Sequence, residues 1–394
     1  MELIYLDNAA TTPLSSKALA DMTPYFISEF GNASSLHEKG RMAKRAVEAS
    51  REIIANSIRA RSNEIYFTSG GTESDNWAIR GVIKASKNNV KHIITSAIEH
   101  PAVLNTCKEL EKEGVLVTYV YPDKNGLISV EDIKGAINSN TILISIMFAN
   151  NEIGTIQPIA EIGSFCREEG ILFHTDAVQA MGTLDIDVNK MCIDLLSMSA
   201  HKFNGPKGIG VLYIKTGVKI DKFIVGGEQE RGKRAGTLAT PLIIGMASAL
   251  EETLSNRESK NANMILLRDS FISDVQHNIP YVHLNGDKVK RLPNNINFSF
   301  EFIEGESLLL KLDLDGVAVS SGSACASGSL QSSHVIKAIG VSDELAHSTI
   351  RFSLGNNTTR EQMNRALKIL IKNVETLREM SPLYDSKKKE GKYV

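Results

Sequence analysis

Ile65-Tyr66-Phe67-Thr68-Ser69-Gly70-Gly71-Thr72-Glu73-Ser74-Asp75 begins as a short apolar run, breaks at two glycines and then takes up a helical pattern. A strand that feeds a helix through a glycine turn is the building unit of an α/β sheet. Thr72 can cap the helix, with Asp75 three positions on as an approximate capping box. Free backbone N–H groups at a helix start attract anions, and glycines let a phosphate approach. Taken alone, the stretch can equally be an ordinary tight turn. It is neither a Walker loop nor G-x-G-x-x-G.

The unit recurs outward from there. Further strands are expected at His92–Ser96, Val115–Tyr121, Ile142–Met147, Ile171–Thr175, Leu195–Met198 and Ile209–Ile214. They are short, rich in Ile, Leu and Val, and separated by helical patterns, which predicts a mostly parallel sheet covered on both faces. Ligands of such sheets bind outside the carboxyl ends of the strands. There the sequence reads Ser69–Thr72, Glu99-His100-Pro101, Asn150-Asn151-Glu152, Asp176–Gln179 and Ser199–Lys202.

After about residue 240 the pattern changes. Ile243–Leu254, Met264–His277 and Thr359–Met380 read as helices, and Ile296–Phe300 and Val317–Ser320 as strands. This predicts a smaller α+β domain. We expect a large domain over residues 15–259 and a small one over 1–14 and 260–394, with a serine-glycine loop at about 320–332.

A chain of 394 residues with 42% hydrophobic content suits two globular domains. A net charge of -2, from 44 Lys+Arg against 46 Asp+Glu, leaves no electrostatic footprint for nucleic acid. No apolar run approaches the roughly 20 residues of a spanning helix. The first residues lack the pattern of a secretory leader. The expectation is a cytoplasmic protein with no membrane or nucleic-acid partner. Four widely spaced cysteines without a C-x-x-C pair argue against a disulfide framework and a resident metal site.

Three pieces carry the chemistry. Asp176 follows an apolar strand directly; its carboxylate can hold a protonated heterocyclic nitrogen or cap a helix. Gln179 can donate to a ring oxygen nearby. Lys202 stands just past another strand, 26 residues after Asp176. Partly withdrawn from water, it has a depressed pKa and can attack an aldehyde; otherwise it is a solvent-facing loop lysine. Ser199 and His201 flank it and can donate to a phosphate. A phosphate turn, a carboxylate and an amine are the three partners pyridoxal phosphate needs. His100 can stack on the ring and move protons, or be a plain loop histidine.

Cys107, Cys166 and Cys192 sit in apolar patterns and read as small core residues. Cys325 lies in Ser320-Ser321-Gly322-Ser323-Ala324-Cys325-Ala326-Ser327-Gly328-Ser329. Such a loop can carry a thiol to a substrate; an inert linker would gain only an oxidation liability.

These residues resemble cysteine desulfurases of the nitrogen-fixation and iron–sulfur-cluster-assembly type, within the class V aminotransferase-like pyridoxal-phosphate family. The likeness runs nearly end to end. It includes Tyr5–Thr12, Phe67–Asn76, Glu99-His100, Asn150–Gly154, His174–Gln179, His201-Lys202, Gly226–Gly232, Arg234–Thr237, Ser320–Cys325 and Arg351–Gly355. It implies pyridoxal-phosphate transferase fold type I and the conversion of L-cysteine to L-alanine with a persulfide on Cys325. Lys202 would hold the cofactor aldehyde. Gly71, Thr72, Ser199 and His201 would bind the phosphate, and Thr237 the phosphate of a neighbouring subunit in a homodimer with shared sites. Asp176 would pair with the ring nitrogen, Gln179 with the ring oxygen, and His100 would stack. Asn151 would lie at the cofactor and, with Arg351, hold the substrate carboxylate.

The long loop implies sulfur transfer to iron–sulfur scaffold or other acceptor proteins, with Cys325 at most a transient iron–sulfur ligand. One departure is Ala200, where many members have glycine. A selenocysteine lyase or other pyridoxal-phosphate lyase or aminotransferase is the nearest alternative. A nucleotide-binding oxidoreductase and an inactive sulfur-relay scaffold stand further off.

Overall fold

The computed structural model describes residues 3–321 and 332–384. A two-residue strand, β1 (Ile4–Tyr5), opens the chain. Then follow β2 (Ile65–Thr68), β3 (His92–Ser96), β4 (Leu116–Val120), β5 (Thr141–Ser145), β6 (Leu172–Asp176), β7 (Leu195–Ser199) and β8 (Gly210–Ile214). They form one seven-stranded sheet in the order β2-β8-β7-β6-β5-β3-β4. Only β8 runs against its neighbours, β2 and β7. The carboxyl ends of β2, β3, β5, β6 and β7 therefore share one edge.

β2, β3, β7 and β8 are buried along their whole length. That is why their sequences show no alternation: helices cover both faces. One face packs through Phe67, Ile94, Ile144, Phe173 and Leu196, the other through Tyr66, Ile93, Leu143, Leu195 and Leu212. Trp77 on the covering helix Gly71–Ala85 is fully buried, meets Tyr66 edge-on at 5.7 Å and donates its indole N–H to the Asp221 carbonyl at 2.8 Å.

The second core is built on β9 (Val282–Leu284), β10 (Asn295–Phe300), β11 (Val317–Ala318) and β12 (Thr349–Ser353). β9, β10 and β12 form an antiparallel sheet, and β11 pairs in parallel with β1. Side chains alternate across β10 and β12. Ile296, Phe298, Phe300, Ile350 and Phe352 fill the apolar core, backed by the helices Arg257–Asn278 and Arg360–Glu379. The other face carries Asn295, Asn297, Ser299, Thr349, Arg351 and Ser353, all buried as well. A polar face survives burial only when hydrogen-bonded. Here Asn285 donates to Asn297 and Ser299, and Ser299 meets Thr349 at 2.9 Å.

Among the connections that join the cores, two lie at the carboxyl edge of the large sheet. The segment after β1 leaves the small core, bridges Ser353 through Asp7 and reaches the large one, where Thr12 N donates to the His201 carbonyl. The helix His334–Ala338 buries Val335 and Ile336 in the large core.

Two local expectations differ from the structure. The helix after Gly70-Gly71 starts at Gly71, and its N-cap is Gly70 with no side-chain cap. Thr72 is exposed in the first turn and Asp75 is buried, so no capping box forms. Of the expected strand Val317–Ser320, only Val317–Ala318 is strand, with Ser320 in an isolated bridge to Arg351.

Candidate active site

The carboxyl edge of the large sheet gathers the residues singled out by sequence. Ser199 ends β7 and Lys202 closes the short 3-10 turn Ala200–Lys202 after it. Lys202 Nζ donates to the Ala9 carbonyl at 2.6 Å and to the Ala10 carbonyl at 2.8 Å. Gln179 Nε2 donates to the same Ala9 oxygen at 3.0 Å. The lysine is thus turned inward onto the N-terminal segment, not out into solvent. Ala200 is fully buried in the large core, so its extra methyl points into packing.

Gly70 and Gly71 face Ser199 and Val178. A Cβ on Gly71 would come within 2.8 Å of Val178 Cγ2 and 3.7 Å of Ser199 Cβ. The close approach requires glycine, and it leaves the first N–H groups of the helix bare beside the Ser199 side chain. His201 hangs nearby, its Nδ1 3.2 Å from Thr11 Oγ1. Burial, with Lys202 and Lys207 beside it, pushes the His201 imidazole down to about 4, so it is neutral at neutral pH.

Asp176 ends β6 and is 7% exposed. Its Oδ1 accepts from Val178 N at 2.8 Å. Burial raises its pKa, opposed by His100, the Val178 N–H and Lys202. Among the described residues no salt bridge reaches it. Asp75 projects into the same buried region from the helix Gly71–Ala85. Its Oδ1 has no hydrogen-bond partner among the described residues and lies 3.7 Å from His174 Nε2. Burial and then the Asp176 charge push Asp75 well up, against a hydrogen bond from Ser197. Of the two acids, Asp176 has the N–H donor and the neighbouring cations, so it keeps the charge and Asp75 the proton.

Glu99 completes the cluster. It accepts from Ser96 Oγ at 2.6 Å and Met147 N at 2.9 Å, while Oε2 has no hydrogen-bond partner among the described residues. Burial pushes Glu99 up to about 8 and His174 down to about 3. His174 is held between Ser145 Oγ at 2.8 Å and Ser197 Oγ at 3.0 Å. His100 caps the helix Pro101–Lys112, its Nδ1 accepting from Ala102 N at 3.1 Å. Burial lowers its pKa, with Asp176 opposing and Lys202 and His334 reinforcing.

Arg351, from β12, forms the other end of the site. Its Nη1 donates to the Asn151 carbonyl at 3.0 Å and its Nη2 to Asp7 Oδ1 at 2.8 Å. Beside it, the buried Glu152 accepts from the Ser333 hydroxyl. Burial pushes Glu152 up to about 7, with Ser333 and Arg351 opposing. Ser320 and Ser333 flank the segment that holds Cys325, and Cys325 itself lies outside the described residues. Thr237 is exposed.

Lys202, Asp176, Gln179, His100, Ser199, His201, Asn151 and Arg351 thus share one edge. Sequence reasoning gave no role to Asp7, the Ala9 and Ala10 carbonyls, Glu99 or His174, and it misplaced Asp75 in a cap. For Asp75 a signal existed: it stands four residues after Gly71, on the same helix face.

Pyridoxal phosphate fits this donor set. The glycine cradle leaves room for a phosphate beside the first N–H groups of the helix, and the buried Asp176 carboxylate has no salt-bridge partner among the described residues, a place a protonated ring nitrogen would fill.

Comparison with known proteins agrees. The model of the aminotransferase class-V family matches residues 4–366. The chain is 53% identical over 393 residues to "Cysteine desulfurase IscS" of Clostridium botulinum, covering 99% of each. A solved "NIFS-LIKE PROTEIN" superposes with a TM-score of 0.90 at 36% identity, over 95% of this chain and 100% of that one. "SspA in complex with cysteine" superposes with a TM-score of 0.80 at 39% identity, over 90% of this chain and 100% of the other.

Proposed function

The chain belongs to the aminotransferase class-V family, and we propose the residue roles by which it works as a pyridoxal-phosphate-dependent cysteine desulfurase. One observation carries the assignment of roles: Lys202 and Gln179 converge on the Ala9 carbonyl within electrostatic reach of the unpaired Asp176 carboxylate.

Pyridoxal phosphate, when bound, supplies an electron sink for the substrate's α-carbon. Gly71, Thr72, Ser199 and His201 would hold its phosphate, Asp176 its ring nitrogen and Gln179 its ring oxygen. His100 and Asn151 would border the ring, and Lys202 would hold the aldehyde carbon. Thr237, exposed here, would reach the phosphate of a partner subunit in a homodimer.

Arg351 and the Asn151 side chain hold the substrate carboxylate, for which the planar guanidinium is suited. The Lys202 amine would take the α-proton. Cys325, as thiolate, attacks the substrate sulfur. A sulfur–sulfur bond forms, the carbon–sulfur bond breaks, and its electron pair stays on the β-carbon, which takes a proton; Lys202 returns the α-proton to the α-carbon, and alanine leaves. His100, kept neutral by burial, is placed to pass protons. The persulfide on Cys325 passes to an iron–sulfur scaffold or another acceptor protein in the cytoplasm. Two cores support a large cofactor-binding domain over 15–259 and a small one over 1–14 and 260–394, with the helix His334–Ala338 of the latter packed into the large core.

The test is product analysis with L-cysteine and a thiol reductant. The purified protein should release alanine and sulfide in equal amounts. Cys325→Ala should keep the cofactor's visible absorbance and release no sulfide. Full sulfide release by that variant would refute the persulfide role. Alanine formed from selenocysteine but not from cysteine would favour a selenocysteine lyase.

A further inference from the structure

Arg351 enters the substrate site with part of its hydrogen-bonding capacity taken. Nη1 serves the Asn151 carbonyl and Nη2 serves Asp7 Oδ1 at 2.8 Å. Nε is buried and has no partner among the described residues. A guanidinium is a rigid fork, and Nε and Nη2 point to the same side, the side that grips a carboxylate through two parallel bonds. One tine of that fork is open, and the other is shared with a protein carboxylate.

Asp7 is held there by structure on both sides. β1 fixes Tyr5, and Asp7 itself bridges Ser353, two residues beyond Arg351. The Tyr5 hydroxyl donates to the carbonyls of Asp7 at 3.1 Å and Thr11 at 3.0 Å and so closes the turn. Within that turn lie the Ala9 and Ala10 carbonyls that accept Lys202. A single turn therefore touches both ends of the substrate site, the guanidinium through its carboxylate and the amine through its carbonyls.

We infer that Asp7 sets the site's affinity for α-carboxylates: it orients the Arg351 guanidinium and contests Nη2 with the incoming carboxylate. The inference rests on Arg351 being the carboxylate anchor proposed above. Two carboxylates on one guanidinium repel each other, and a single positive charge neutralises only one. The consequence falls on substrate and product alike, because cysteine and alanine carry the same carboxylate. Binding both more tightly would not speed the chemical step, and it would hold alanine in the site. Asp7 thus keeps the anchor directional but weak.

Asp7→Asn preserves an oxygen acceptor for Nη2 and removes the charge. KM for L-cysteine and the dissociation constant of L-alanine, the latter by calorimetry on the holoenzyme, should both fall by about three- to tenfold. The change should sit in KM rather than in kcat. Arg351→Lys, measured in parallel, should raise both constants by about tenfold or more. If Arg351→Lys leaves them unchanged, the carboxylate-anchor role fails and the inference with it. If Arg351→Lys raises them but Asp7→Asn leaves them equal or higher, the inference alone is wrong. Asp7→Ser, also free of charge, must show the same fall and replaces the asparagine variant should that one fold poorly.

Discussion

Asp176 and Arg351 lie at opposite ends of the site, both buried, and differ in what compensates their charge. Arg351 has a carboxylate at 2.8 Å and a carbonyl at 3.0 Å within its own chain. Asp176 has one backbone N–H and no salt bridge among the described residues, and the acids beside it, Asp75 and Glu99, are both pushed up by burial and by its charge. A buried charge left without a partner is costly. Retained at the edge where ligands bind, it marks the place where a ligand brings the counter-charge. A buried charge already paired marks a place where ligand affinity is moderated instead.

The comparison can be broken most directly at the amine. Lys202→Ala should lower sulfide release by about a thousandfold or more, while Arg351→Lys should act mainly on KM. Equal kcat losses in steady-state assays would erase the distinction between the two ends.

A paired buried charge outside the residues assigned to the site gives the control. Glu230 grips Arg51 at 2.6 Å, with side chains 1% and 3% exposed, and accepts from Phe67 N at 2.7 Å. Glu230→Ala removes the two-point partner of the guanidinium, leaving it Glu48 at 3.3 Å and the Ile65 carbonyl, and should cost about 3–5 kcal/mol in denaturant unfolding. A loss below about 1 kcal/mol would mean that pairing matters little in this interior.

Asp176→Asn should weaken cofactor binding about a hundredfold in equilibrium titration, because the ring nitrogen loses its counter-charge. Asp75→Asn should change it less than about threefold, since that acid already carries its proton. A collapse of affinity in Asp75→Asn would show that both carboxyls are ionised and that the assignment between them is wrong.

The smallest effect is a pH slope. Glu152 is pushed from the usual 4.5 to about 7 by burial, so the folded state holds its proton more firmly than the unfolded chain. Its contribution to stability is therefore fully present below about 4.5 and lost as pH rises through about 7. Thermal unfolding between these limits should show a smaller pH slope in Glu152→Gln than in the parent. An unchanged slope would remove Glu152 as its source.

The fold was legible where burial is complete. Ile65–Thr68 and His92–Ser96 occupy the expected positions, because a strand covered on both faces writes itself as an unbroken apolar run. The helix Glu38–Ser57 is absent from the sequence-based expectation. It is mostly polar, and its core stripe of Ala43, Val47, Ile54 and Ala55 is thin.

The residues proposed for the cofactor, Thr237 apart, were legible because each follows a strand of the large sheet. Asp75 was not, because a capping pattern is local while its burial against Asp176 is tertiary. Asp7 was not, because its partner stands 344 positions away. Only the pairing of β1 with β11 and the bridge to Ser353 bring the two together.

The most direct measurement is to load the protein with pyridoxal phosphate, reduce it with borohydride and map the modified peptide by mass spectrometry. A single pyridoxyl group on Lys202 is the predicted result. A group on another lysine, or none on a protein that still releases sulfide from cysteine, would contradict the account.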